Sequence, residues 1–334
     1  SLKSIKLYFF SILKLFFLNF RNFYFRSNYY NKKLITFIPD RFFYKPSTYL
    51  SASLTTFSND FYKITETKPE LLWKVDTKEK LKFENLHNFL WLSRLDRKNS
   101  KIITKNIIKS WINIFFNYYP DIWDMEITAK RIIAWSSNTD ITLEDSDKEY
   151  KKKFFITLIK QSNFLSKNLS SLFDEPSKIV CCAAIILSGM IFEENNSNYK
   201  IGIKELEKVI KNYFDESGFP KSRNPEDVFI CLKYLILIRE WLKEGQKSIP
   251  DLLNDIIRRC GNCYTMLSYT NKQFPLFNGA TEINYKDYDT FLKNLKYKFT
   301  DKNYAITDLI KIKKKKFEFF IDCGNPPPSI YSKY

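Results

Sequence analysis

Apolar residues recur at three- and four-residue intervals along most of this chain, and the pattern breaks near its two ends. Near the start, Leu7 to Phe20 reads LYFFSILKLFFLNF, an apolar run that contains Lys14 and falls short of the ~20 residues that span a bilayer. It predicts a helix packed on the core or lying at a membrane interface. Between residues 27 and 75 the period is lost. Tyr, Asn, Ser and Thr are frequent there, and Pro39, Pro46 and Pro69 interrupt it, so this stretch reads as an extended arm laid on the domain. From about residue 78 the helical signal is continuous, carried first by Leu81, Leu86, Phe89, Leu90 and Leu92 and then by Ile103, Ile107, Ile108, Trp111 and Ile114.

Starts and stops are marked in the sequence. Ser146 with Glu149 three residues on forms a capping box for a helix over 147–170, and Pro176 opens the next at its first turn. Pro225 opens a helix that Gly245 closes, and further helices are predicted at 126–137, 177–193, 202–214, 251–268 and 286–296. About ten helices with no strand between them predict a helical array or an α/α toroid. Near residue 303 the pattern changes. Tyr304, Ile306, Leu309, Ile310 and Ile312 precede Lys313 to Lys316, and Phe317-Glu-Phe-Phe-Ile-Asp-Cys323 follows, which predicts a β-hairpin with an exposed lysine turn. The loop Gly324-Asn-Pro-Pro-Pro328 is expected to lead into more strands. The chain thus divides into an apolar helix and arm (1–75), a helical domain (76–300) and the first strands of a β domain (301–334).

Composition narrows this further. With 44% hydrophobic residues over 334 positions the chain can bury a sizeable core, and 7 glycines against 31 Phe and 21 Tyr are too few for a turn-rich sandwich. A net charge of +17 attracts polyanions of any kind, although the richness in Lys, Ile, Asn and Phe reads equally as a general compositional bias. No nucleic-acid motif is present, so that partner is not expected. Six cysteines make no disulfide framework. Cys260-Gly-Asn-Cys263 has ligand-like spacing but no complementing Cys pair or His cluster, so neither metal nor other cofactor is assigned. The first residue is Ser rather than Met, which leaves an export signal open.

Four segments in order resemble the heparinase II/III-like family of polysaccharide lyases: Asn85-Leu-His-Asn-Phe-Leu-Trp-Leu92, Trp123 with Arg131-Ile-Ile-Ala-Trp135, Pro275-Leu-Phe-Asn-Gly279, and Asp322-Cys-Gly-Asn-Pro-Pro-Pro328. The resemblance implies a mainly α fold, an incomplete (α/α) toroid followed by the start of an antiparallel β-sandwich. It also implies an acidic glycan bound between the two and cleaved by β-elimination, and a periplasmic or cell-envelope location. Such chemistry needs donors that neutralise the uronate carboxylate, a base at C5, and an acid for the leaving oxygen. The chain departs from the family's best-known members, which carry an Asn-His-Arg trio and a Ser-Pro-x-Tyr-His run. Their places are taken by Glu175-Pro-Ser-Lys178 and Asn224-Pro-Glu-Asp-Val228, with Asp227 at the catalytic Tyr position and Val228 at the following His. Phe277-Asn-Gly-Ala280 likewise lacks the family's acidic residue. The resemblance further implies that the β domain continues past residue 334 with a His-containing strand.

The candidate residues follow from that match. His87, the one histidine, is either a glycan-contacting or acid/base residue or a packed histidine. Asn85 shares its helix. Arg131 and Trp135 lie one turn apart, fit to hold a carboxylate and a sugar ring or to stack on each other. Lys178 is the basic residue left in the first altered run. Arg223 and Lys221 bring charge to the cleft, Asn224 is a helix cap or a donor, and Asn278 is a turn residue or a donor. The function expected is action on an anionic, uronate-containing polysaccharide by β-elimination; the alternative is a non-catalytic glycan-binding or envelope-assembly protein on the same fold.

Overall fold

The computed structural model describes residues 19–54, 64, 67–269, 271, 273–282, 285–301, 304–315 and 317–328. Most of the apolar run 7–20 lies outside them. Residues 19–26 are helical, and the arm that follows is only partly irregular, with short helices α1 (Asn28–Lys33), α2 (Thr48–Ala52) and α3 (Pro69–Leu72). The arm is held by specific bonds. The Asn163 amide donates to the Leu34 carbonyl at 2.8 Å, the Phe43 N–H to the Ile191 carbonyl at 2.8 Å, and the Tyr44 hydroxyl to Glu244 at 2.7 Å. Tyr30, Leu34, Phe42 and Leu50 are buried beneath it.

The body is a succession of helices: α4 (Lys80–Asn88), α5 (Lys101–Phe115), α6 (Met125–Ser137), α7 (Thr139–Thr142), α8 (Lys148–Asn168), α9 (Glu175–Ile191), α10 (Asn196–Tyr213), α11 (Pro225–Glu244), α12 (Asp251–Leu267) and α13 (Tyr285–Asn294). At its centre α9 packs against α6, α8, α10 and α11. Apart from Ser177 and Lys178, every residue of α9 is buried, as expected of a helix that is apolar all round. Its small residues permit the close approach. A Cβ at Gly189 would overlap the backbone of Tyr199, and one at Gly202 of α10 would overlap Ile186.

Two local expectations are corrected. The cap of α8 is Asp147, whose side chain accepts from the Tyr150 N–H at 2.8 Å, while the Ser146 hydroxyl has no partner among the described residues. Asp147 has the extended backbone (φ −67°, ψ 162°) that a cap requires. α10 also starts six residues ahead of the predicted 202. Where helix was expected at 286–296 and in the other periodic segments, it is found within a few residues.

The hairpin is antiparallel, β1 (Leu309–Lys314) with β2 (Phe317–Asp322), and Lys313 and Lys314 belong to the strand rather than to the turn. Leu309 is buried, whereas Ile310, Phe317, Phe319 and Ile321 are exposed. The architecture is mainly α and toroid-like, with an antiparallel hairpin beginning a β region. Among the described residues no helix is long and apolar enough to cross a membrane.

Candidate functional site

The candidates separate into two groups. The first is an interior hub. α4 ends at Phe89, whose left-handed backbone (φ 59°) turns the chain into a 3-10 segment, Leu90–Arg94, and this turn sets His87 inside. His87 is 1% exposed, ringed by Trp73, Phe83 and Phe115, and its Nδ1 accepts from the Trp111 indole N–H at 3.2 Å. Burial, with the Arg131 charge adding to it, pushes its pKa down to about 3, so the ring is neutral at physiological pH.

Arg131 is 0% exposed. Its guanidinium donates to the carbonyls of His87 (2.9 Å) and Ile122 (3.2 Å), to Gln161 Oε1 (2.9 Å) and to Thr128 Oγ1 (3.0 Å), and it stacks 4.3 Å from the Trp111 ring. Trp135 is equally buried, stacked on Phe154 and edge-on to Phe89 and Trp111. The expected carboxylate-and-sugar face at Arg131 and Trp135 is therefore inside the core in this structure. The donors of Arg131 are spent on backbone carbonyls, the Gln161 amide oxygen and the Thr128 hydroxyl, and its cation–π partner is Trp111 rather than Trp135. Trp123 is buried as well and donates to the Phe115 carbonyl at 3.0 Å. Asn85 is half-buried. Lys178, also half-buried, pairs with Glu175 at 3.0 Å in the first turn of α9.

The second group converges where the hairpin meets the helical body. Arg223 has a left-handed backbone (φ 54°), which sends its side chain away from α11 toward β2. There Arg223 Nη2 and Nε stand 2.5 and 2.8 Å from Asp322 Oδ1, and Nη2 also donates to the carbonyls of Thr307 and Asp308 at 3.3 Å. The Asn278 amide donates to the other Asp322 oxygen at 3.0 Å and to the Arg223 carbonyl at 2.9 Å. Asn278 and Gly279 carry φ of 51° and 83°, so this asparagine is at once turn residue and donor. A Cβ at Gly324 would overlap the guanidinium. Burial raises the Asp322 pKa, but the bonds from Arg223, Gly324 and Asn278 outweigh it and hold the carboxyl below its ordinary value. Two non-glycine residues in the left-handed region that touch one another are the kind of strain found at functional sites.

Beside this cluster Asn224 caps α11, its Oδ1 accepting from the Glu226 N–H at 2.8 Å, while its buried Nδ2 has no hydrogen-bond partner among the described residues. Asp227 is buried and accepts from the hydroxyls of Tyr213 and Ser222, each at 2.6 Å. Tyr213 is 1% exposed, and burial pushes its hydroxyl pKa far up. Asp322, Tyr213 and Ser222 were not among the sequence candidates. Asp322 opened one of the matched segments, which was the one signal that could have found it. The Cys260 and Cys263 thiols are buried and donate to the carbonyls of Gly218 and Ser217.

No family model matches the sequence, and no curated protein matches it. The fold is similar to that in the crystal structure of heparan sulfate lyase HepC from Pedobacter heparinus, with a TM-score of 0.50 and 11% identity over 80% of this chain and 48% of that one. This chain thus spans about half the length of that protein, and what the two share is the helical fold.

Proposed function

We propose that this protein acts on an anionic, uronate-containing polysaccharide. The observation that carries the reading is the cluster of Arg223 and Asn278 around a carboxylate. Together they donate to both oxygens of Asp322, which is the recognition a uronate carboxylate requires. The net charge of +17 supports an acidic partner, and the likeness in fold to a heparan sulfate lyase supports the substrate class.

The reaction implied is β-elimination. A base takes the proton at C5, its electron pair forms the C4–C5 double bond, and the glycosidic oxygen leaves C4 with a proton from an acid. Arg223 and Asn278 take the neutralising role that makes C5 acidic when a substrate carboxylate displaces Asp322, which engages their donors in this structure. A second reading, glycan binding or envelope assembly without cleavage, is favoured by a specific observation. His87 and Tyr213 are each 1% exposed and already hydrogen-bonded, so neither is free to take a proton from a substrate in this arrangement.

Incubation with a panel of uronate polymers, followed by the ultraviolet absorbance of an unsaturated product, tests the first reading. Binding without product supports the second, and neither binding nor product sinks both. Replacing Arg223 or Asn278 by Ala is expected to weaken binding under either. A periplasmic or envelope location belongs to the same proposal and is tested by cell fractionation.

A further inference from the structure

A groove of about 550 Å³ opens between α12, α13, the loop after α13 and the hairpin, within the ~300–1,000 Å³ usual for ligand sites. Its lining includes the rings of Tyr264, Tyr297 and Phe299, the last two with ring centroids 6.2 Å apart and planes 35° from parallel. These rings are fixed. The Tyr264 hydroxyl donates to Asp289 at 3.1 Å, the Tyr297 hydroxyl to Glu240 at 2.6 Å, and Phe299 packs where Gly261 has no side chain.

The charges lining the groove are not balanced. Asp289 and Glu318 are engaged by Lys293 (3.7 Å) and Lys311 (3.0 Å), and Lys311 is further tied to the carbonyls of Met266 and Ser268. That leaves Lys298 from the loop and Lys313 from β1. Both are exposed, both line the groove, and neither pairs with an acidic side chain among the described residues. Four lysines, Lys293, Lys298, Lys311 and Lys313, line the groove against two carboxylates, Asp289 and Glu318, and this excess of positive charge favours an anionic ligand. The half-buried rings of Tyr297 and Phe299 suit the faces of pyranose rings, and the ammonium groups suit the sulfates or carboxylates at their edges.

We infer that this groove is a second binding site for acidic saccharide, in which Lys298 and Lys313 grip the anionic groups and Phe299 and Tyr297 carry the rings. It rests on the acidic-polysaccharide reading, extended to a second place on the molecule. The site adds a foothold for one long chain, so it acts on affinity by raising the effective concentration at the first site.

The test is the affinity of the whole chain for heparan sulfate and for polygalacturonate, compared between wild type, Lys298→Ser/Lys313→Ser, and a control Lys152→Ser/Lys204→Ser that removes two exposed lysines from α8 and α10. The groove variant is expected to bind at least one of the two polymers about tenfold more weakly while the control stays within about twofold, and thermal unfolding confirms that both variants fold. Equal weakening in both variants, or none in the groove variant, overturns the site and leaves the broader reading standing. If wild type binds neither polymer, the broader reading falls and the site with it. Tighter binding of single-stranded DNA than of either polymer, weakened by the same groove variant, overturns the saccharide assignment.

Discussion

His87 offers a direct test of whether the interior hub is as closed as it stands. It is the one histidine of the chain, and its pKa lies near 3 because burial, assisted by the Arg131 charge, disfavours the imidazolium. In the unfolded chain the same ring has a pKa of about 6.5. As pH falls through 6.5 the unfolded state takes up a proton that the folded state refuses until about pH 3. This contribution to stability is therefore complete above 6.5 and is lost on acidification. The slope approaches about 1.4 kcal/mol per pH unit, and from pH 7 to pH 5 the loss is about 2 kcal/mol. Lys160 does not confuse that window. Burial lowers its pKa to about 7, so below pH 7 it is mostly protonated in both states. Urea midpoints at pH 7, 6 and 5 for wild type and His87→Gln give the comparison, since carboxylate effects are common to both. The wild type should lose about 2 kcal/mol more than the variant. The histidine ring resonances of the folded protein should also stay constant over that range. Parallel stability curves, or a ring that titrates near 6.5 in the folded protein, would refute the closed hub.

Three further outcomes are expected. Arg131→Met removes a desolvated cation but strands the carbonyls of His87 and Ile122 together with Gln161 and Thr128; the lost bonds win by about 2–4 kcal/mol, read from the urea midpoint. Gly189→Ala gains about 1 kcal/mol of helix propensity but drives a methyl into the Tyr199 backbone; it should be destabilising by about 1–3 kcal/mol by the same measure. A thiol reagent should modify Cys323 rapidly in the native protein and the other five cysteines only on unfolding, since those five are buried; a second fast thiol would contradict the packing of α9, α11 or α12.

The helices were legible because periodicity and capping are local. Pro225 after Asn224 marked the start of α11 at the residue where it begins, and the hairpin showed itself in the change of period near 303. The cap of α8 was misassigned by one residue because Ser146 and Asp147 both have a side-chain oxygen, and only the backbone angles at each position decide between them.

What sequence spacing could not carry is the direction in which a helical face looks. Arg131 and Trp135 are indeed one turn apart, but whether that face meets a cleft or the core depends on His87 and Ile122, which bring their carbonyls to Arg131 from 44 and 9 residues away. The Arg223–Asp322 contact joins residues 99 apart in sequence, and nothing in the periodicity of either segment pairs them. Both arrangements hang on left-handed residues, Phe89 in the first and Arg223 and Asn278 in the second. A non-glycine residue in that region leaves only a weak trace in sequence, through asparagine's tolerance of it, and Asn278 before Gly279 is the one place where the trace was present. The placement of both groups therefore depends on turns that redirect single side chains. That is why similar segments can follow one another in the same order while the side chains they bring together differ.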